Sequence, residues 1–214
     1  MVGDGWTAEL AIPFTSLRFP RQAQDDGQSW GFQILREIRS KNERVVWAPL
    51  SRNVPRFLSQ MGILDGLKDL PVSDTYTAGM FLGRPSVEIR PTVTPPQIDG
   101  RLDDDAAWDG AARVTEFVQQ SPAEGAPASE RTEVYLAYDD DHLYVGLYAH
   151  YSDPGLIRAN RMDRDRTDRD DTVTFYLDPF VDQQRAYVFS VNGYGIQADG
   201  VLTGGGASVA SGAT

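Results

Sequence analysis

Two runs of alternating residues, separated by a stretch that no strand can absorb, set the main constraint on this chain. Over residues 172–177, Val173, Phe175 and Leu177 fall on one face, and Thr172, Thr174 and Tyr176 on the other. That is the period-two pattern of a half-buried strand. Asp178-Pro179 and Asp182-Gln183 then interrupt it, because proline cannot donate to a ladder and aspartate favours turns. A second run follows at once, with Ala186, Val188 and Ser190 on one face and Tyr187, Phe189 and Val191 on the other. The pair predicts a β-hairpin. Asn192-Gly193 and Tyr194-Gly195 predict a second turn, leading into a third short strand over 196–201. Strands with one apolar face need a covering sheet, so the rest of the chain must supply one.

It has the material to do so. Trp6, Ala8, Leu10 and Ile12 alternate with Thr7, Glu9 and Ala11 until Pro13, and Trp30, Phe32 and Ile34 alternate with Gln33 and Leu35. Both read as strands, as does Val45-Val46-Trp47-Ala48, which Pro49 ends. Residues 14–19 read as a short turn or single helical turn, and 62–70 as a short apolar stretch with an Asp65-Gly66 turn. Residues 133–138 and 143–151, around the acidic turn 139–141, predict a second hairpin. The acidic start before Ala106, Ala107 and Trp108 predicts a short capped helix. Residues 71–91 read as a connector with an edge strand over 87–90, and the low-complexity stretch 204–214 as a flexible tail. The expected fold is all-β, an antiparallel β-sandwich of one domain, built from 1–70 and 92–203.

Composition narrows the function classes. With 31 acidic against 20 basic residues the net charge is −11, and no basic stripe could neutralise phosphates, so nucleic acid is not an expected partner. The absence of cysteine removes disulfides, thiol catalysis and zinc–thiolate sites together. No apolar run reaches the roughly 20 residues of a membrane-spanning helix, and the first residues lack a signal-peptide pattern. For catalysis the inventory is thin. His142 and His150 share one face of a single strand, neither G-x-S-x-G nor H-E-x-x-H occurs, and nothing singles out one pair of carboxylates. A non-enzymatic protein is expected.

The segments PPQIDGRLDDDAAW, SERTEVYLAYDDDHLYVGLYAHYSDP, RDDTVTFYLDPFVDQQRAYVFSVNGYGIQADG, GWTAELAIPFTSLRF and WGFQILREIRSKNERVVWAP resemble the family 9 carbohydrate-binding-module-like domains. The similarity is greatest to the bacterial subgroup in which the module precedes an outer-membrane-associated region. The resemblance implies a DOMON-like sandwich of jelly-roll or immunoglobulin-like form, in an extracellular, periplasmic or outer-membrane setting. It implies sugar binding without catalysis, divalent ions in some members, and a neighbouring catalytic or barrel region. The order of the segments is displaced: those that close the family pattern occupy 1–70, and those that open it follow Pro91. The chain thus looks circularly permuted, with 71–91 as the new bridge, or cut from a tandem array. A monomer closed on itself and a dimer with exchanged halves both satisfy the pattern.

A sugar ring stacks on aromatic faces through its C–H bonds and offers hydroxyls to polar groups at its rim. By the resemblance Trp47 is the candidate platform, with burial in the core as the competing reading, while Trp6, Trp30 and Trp108 are expected in the core. Arg36, Arg39 and Asn42 are candidate partners for sugar hydroxyls, or else a solvated loop. Asp163, Asp165, Asp168, Asp170 and Asp171 bring hard oxygens together, and Ca²⁺ wants six to eight of them. The interleaved Arg161, Arg164, Arg166 and Arg169 make ion pairing the competing reading. The expected function is a non-catalytic carbohydrate-binding module. Its rival is a structural or interaction sandwich that has lost the sugar site.

Overall fold

The computed structural model describes residues 2–20, 27–54, 56–70, 84–161, 163–167 and 169–203. Twelve strands are found among them: β1 (Gly5–Pro13), β2 (Gln28–Ile38), β3 (Glu43–Val46), β4 (Gly62–Leu67), β5 (Ser86–Glu88), β6 (Ala112–Val114), β7 (Val118–Ser121), β8 (Thr132–Tyr138), β9 (His142–His150), β10 (Thr172–Asp178), β11 (Arg185–Asn192) and β12 (Gln197–Thr203). The helical elements among the described residues are single 3-10 turns, including Ala106–Trp108, where the Asp105 carboxylate accepts the Ala107 N–H at 2.9 Å.

One sheet runs β1-β9-β8-β6, and a larger one runs β12-β11-β10-β2-β3-β7. Every neighbouring pair on these two paths is antiparallel. The far edge of β2 is shared, with β3 along residues 35–38 and β4 along residues 28–32. Beyond it β5 adds a parallel strand to β4. The predicted hairpins are present in register, with Thr174 opposite Ser190 and Val134 opposite Leu147.

The two stretches 1–70 and 92–203 interleave in both sheets. β1 lies along β9 from Gly5–His150 to Pro13–His142. β2 lies along β10, with Glu37 opposite Thr172 and Gly31 opposite Asp178. The core forms between the sheets from the inward parity of each strand: Trp6, Leu10 and Ile12 of β1, Val145 and Leu147 of β9, Phe32 and Ile34 of β2, Val173 and Phe175 of β10. Trp6, Trp30 and Trp108 are all buried, as their apolar bulk demands.

Two expectations need correction. The Asp65-Gly66 pair does not turn the chain; Gly66 takes a positive φ of 92° inside β4, where the strand meets Ile89. That is the signature of a local irregularity within a strand, and an Asp-Gly pair looks the same in sequence either way. β6 and β7 are strands that the sequence pattern does not announce, because they are short and one is Val-Gln-Gln-Ser. The edge strand expected at 87–90 lies one residue earlier, at Ser86–Glu88. Residues 71–83 and the expected flexible tail 204–214 lie outside the described residues.

The outer face of the smaller sheet is partly covered by the segment after Pro96. Glu9, on the outward parity of β1, uses both carboxylate oxygens to hold it. Oε2 accepts the N–H groups of Asp99 (3.0 Å) and Gly100 (2.6 Å), and Oε1 accepts the Trp108 indole N–H at 2.8 Å. Trp108 and Leu102 then rest over Gly146, where an added Cβ would stand 2.6 Å from Leu102. All three groups that face Glu9 are donors, so an amide at this position must turn its own NH₂ against one of them. Glu9→Gln is therefore expected to lower stability by about 1–3 kcal/mol despite its identical shape, measured by urea denaturation. An unchanged midpoint would contradict this account.

Candidate functional site

The structure distributes the predicted site residues rather than gathering them. Trp47 is 8% exposed and packs in the core with its ring 5.6 Å from that of Phe32. Gly62 faces it closely; a Cβ there would stand 2.6 Å from the indole. A ring enclosed in this way offers no free face to a sugar, so the platform reading of Trp47 gives way to the core reading. Arg36 is likewise fully buried. It lies on the parity of Trp30, Phe32 and Ile34, points between the sheets, and donates to the carbonyls of Arg131 (2.8 Å) and His150 (2.6 Å) and to Thr132 Oγ1 (2.9 Å). Its guanidinium also sits 4.7 Å from the centre of the Tyr151 ring. Burial lowers its pKa below the ordinary value, while Tyr151, Asp171 and Glu130 oppose that shift. It cannot reach a ligand at the surface, and its role is to join the sheets. Asn42 is exposed and closes the β2–β3 turn with a left-handed φ of 51°, which suits asparagine.

Arg39 keeps a place near a site. Its backbone N–H donates to Asp171 Oδ1 (2.6 Å) and its Nε to the Asp170 carbonyl (3.2 Å), and its guanidinium lies 3.7 Å from Glu37.

The aspartates divide. Asp170 and Asp171 are buried and accept donors of the protein itself. Asp171 takes the N–H of Arg39 and of Arg158, and Asp170 takes the Asn160 N–H (3.1 Å) and the side-chain amides of Asn160 (2.6 Å) and Asn192 (2.7 Å). Asp163 and Asp165 are exposed, and Asp168 lies outside the described residues. Among the described residues no group of three or more Asp, Glu or His gathers as a metal site would require. Two of the interleaved arginines are engaged elsewhere: Arg164 pairs with Asp199, and Arg161 lies 5.1 Å from the Tyr194 ring. These buried carboxylates tie the 158–171 segment to the ends of β2 and β11.

The structure does provide a candidate site on the outer face of the larger sheet. A groove of about 710 Å³ crosses the strands there. Its floor is the outward parity of the strands named above: Leu35 and Glu37 of β2, Thr172, Thr174 and Tyr176 of β10, Val188 and Ser190 of β11. Thr174 donates its hydroxyl to Ser190 Oγ at 3.0 Å. By register, Tyr176 stands two residues from Thr174 towards one wall, where Phe57 crosses its ring at 4.8 Å and 60°. Towards the other wall stand Thr172, Glu37 and Arg44, with Arg44 donating Nε–H to Glu37 Oε1 at 2.6 Å. Arg56, Gln120, Gln184, Asp165 and Asp199 complete the rim. Burial pushes the Tyr176 phenol above its ordinary value; Arg44 nearby opposes that shift and Glu37 adds to it.

Of these residues, the sequence pattern placed Thr172, Thr174 and Tyr176 on one face of their strand, Val188 and Ser190 on one face of theirs, and Leu35 opposite Trp30, Phe32 and Ile34. Phe57 and Arg56 carry no periodic signal, because they sit in an irregular loop. No family model, no curated protein and no solved structure matches this chain.

Two outcomes follow for buried residues of the larger sheet and its strand ends. Trp47→Ala removes a buried indole and is expected to lower stability by about 3–5 kcal/mol, read from the denaturation midpoint; an unchanged midpoint would return Trp47 to the surface. Asp178, at the end of β10, is 2% exposed, and burial pushes its carboxyl up to about 6, with Asp182 adding to the rise and the N–H groups of the 178–183 loop opposing it. A folded-state value above the unfolded one means that the protonated form favours the fold. Its contribution is full below the ordinary value of 3.8 and is lost as the pH rises through about 6. Carboxyl NMR of Asp178 is expected to show that elevated midpoint; titration at or below 3.8 would overturn the assignment.

Proposed function

We propose that this chain is a non-catalytic sugar-binding module whose ligand lies in the groove on the outer face of the larger sheet. The observation that carries this reading is the composition of the groove. The edge-to-face pair of Tyr176 and Phe57 stands beside a floor of Thr172, Thr174 and Ser190 hydroxyls, with amide and charged groups at the rim. A pyranose presents the matching surfaces, apolar C–H faces and a polar circumference. The family 9-like segments support the same ligand class, although the aromatic groups in the groove are not the tryptophan those segments single out. The groove carboxylates favour holding over proton transfer, since Glu37 and Asp199 are engaged by Arg44 and Arg164. The rival reading, an interaction sandwich without a sugar site, draws on the burial of Trp47 and Arg36.

A glycan array of neutral and acidic oligosaccharides, followed by calorimetry on the full chain, separates the two. Binding is expected to weaken about tenfold in Phe57→Ala and in Tyr176→Ala, and to survive in Tyr176→Phe, which keeps the ring. A flat response across the array would defeat the sugar reading and leave the rival.

A further inference from the structure

The groove has a direction. Its floor follows one row of residues that the register sets side by side across the larger sheet: Ala198 of β12 opposite Ser190 of β11, Ser190 opposite Thr174 of β10, and Thr174 opposite Leu35 of β2. The row crosses four neighbouring strands, three intervals of about 4.8 Å, and so spans about 14 Å at right angles to them. Past Leu35 the lining continues on Arg44 of β3 and Gln120 of β7, where Arg44 donates Nη1–H to Gln120 Oε1 at 3.5 Å. Along the strands the groove is narrower. Tyr176 with Phe57 bounds it on one side and Thr172 on the other, four residues apart on β10 and so about 13 Å between Cα atoms, before their side chains are counted. The row is apolar at Leu35 and Ala198 and carries hydroxyls between them. Ser190 accepts the Thr174 hydroxyl at 3.0 Å and keeps its own O–H to donate. Charge favours neither sign, since the lining sets Arg39, Arg44 and Arg56 against Glu37, Asp165 and Asp199.

We infer that the groove takes a neutral, extended β-linked oligosaccharide of about four sugar residues, laid across the strands along the row from Leu35 to Ala198; this rests on the sugar-binding reading of the same groove. The spacing of strands in a sheet is close to the length that one pyranose adds to an extended β-1,4-linked chain, so such a chain sets one ring over each strand of the row. The end rings meet Leu35 and Ala198 through their C–H faces, and the middle rings meet the hydroxyls of Thr174 and Ser190. A single sugar covers one strand and leaves the rest of the row to water. A coiled α-1,4-linked chain curves away from a straight row after the first rings, and the walls leave width for one file of rings. A polyanion gains nothing from a lining whose formal charges cancel, and the net charge of −11 repels it.

Calorimetry with the full chain tests this on β-1,4-linked glucose, mannose and xylose oligosaccharides, each series taken from the monosaccharide to the hexasaccharide, with α-1,4-linked glucose oligosaccharides of the same lengths beside them. In at least one β-linked series the affinity is expected to rise about tenfold or more from the monosaccharide to the tetrasaccharide and then to level off, and the α-linked series to bind more weakly at every length. Ala198→Trp adds bulk at the β12 end of the row, two strands from Thr174, and should alter binding of the tetrasaccharide while sparing the disaccharide. An equal effect of this variant on both, or none on either, would overturn the placement along the row. A monosaccharide that binds as tightly as its tetrasaccharide, or an α-linked series that matches the β-linked ones, would overturn the extended chain and leave sugar binding standing. If every neutral series is flat while the glycan array shows another sugar bound, this inference alone falls. If the array is flat as well, both readings fall together.

Discussion

The fold depends on an arginine in a place where arginines are rare. Arg36 stands on the inward face of β2, the central strand of the larger sheet, and its guanidinium reaches the ends of β8 and β9 in the smaller one. Apolar contacts between sheets are non-directional and tolerate sliding. Three hydrogen bonds to fixed acceptors do not, so Arg36 sets where one sheet lies over the other. The arrangement holds a full charge away from water, and the protein meets that cost locally. Tyr151 lends its ring, and Asp171 and Glu130 contribute at longer range. Burial alone would push Glu130 up, but Lys41 at 2.5 Å and Ser152 keep it below the ordinary carboxylate value. The polar groups around the β8–β9 ends therefore act as one network that keeps a negative potential beside the buried cation.

How much of this was legible in the sequence depends on whether a residue's role follows from parity. The alternation of β1, β2, β8, β9, β10 and β11 is strong, and it placed their inward residues in the core. It also contained the correct fate of Arg36, which is two residues from Ile34 and two from Ile38 on the same face. Charge argued for the surface and parity for the interior; parity won because backbone carbonyls at strand ends could receive the guanidinium. Trp47 follows the same rule, since it continues the inward parity of Val45 past the end of β3. β6, β7 and the strand character of Asp65-Gly66 were not legible, because short edge strands take their conformation from neighbours rather than from their own pattern.

The groove was half legible. The face of Thr172, Thr174 and Tyr176 could be read as facing away from the core. Which of the two outer faces of the sandwich stays open could not, because that depends on a distant contact. Glu9 draws the 97–108 segment across the smaller sheet, with Leu102 and Trp108 over Gly146. Among the described residues, the corresponding face of the larger sheet receives the loop of Phe57 and Leu58 along one side, and the remaining floor is left as a groove. A long-range contact through one carboxylate thus decides the location of a site that contains none of its atoms.

The same topology ties the site to the closure of the chain. Leu35, Glu37, Arg44 and Phe57 come from the stretch before residue 71, and Thr172, Thr174, Tyr176 and Ser190 from the stretch after residue 91. Neither set makes a floor alone, since the β2–β10 ladder is the seam that brings Leu35 beside Thr174 and Glu37 beside Thr172. Closing that seam brings together residues far apart in sequence, which makes it entropically expensive and late relative to the local hairpins β8–β9 and β10–β11. Arg36 lies on the same strand, one residue from both Leu35 and Glu37. Docking its guanidinium on β8 and β9 therefore fixes the backbone that carries the groove floor, so the sheet-to-sheet clamp and the site share one strand.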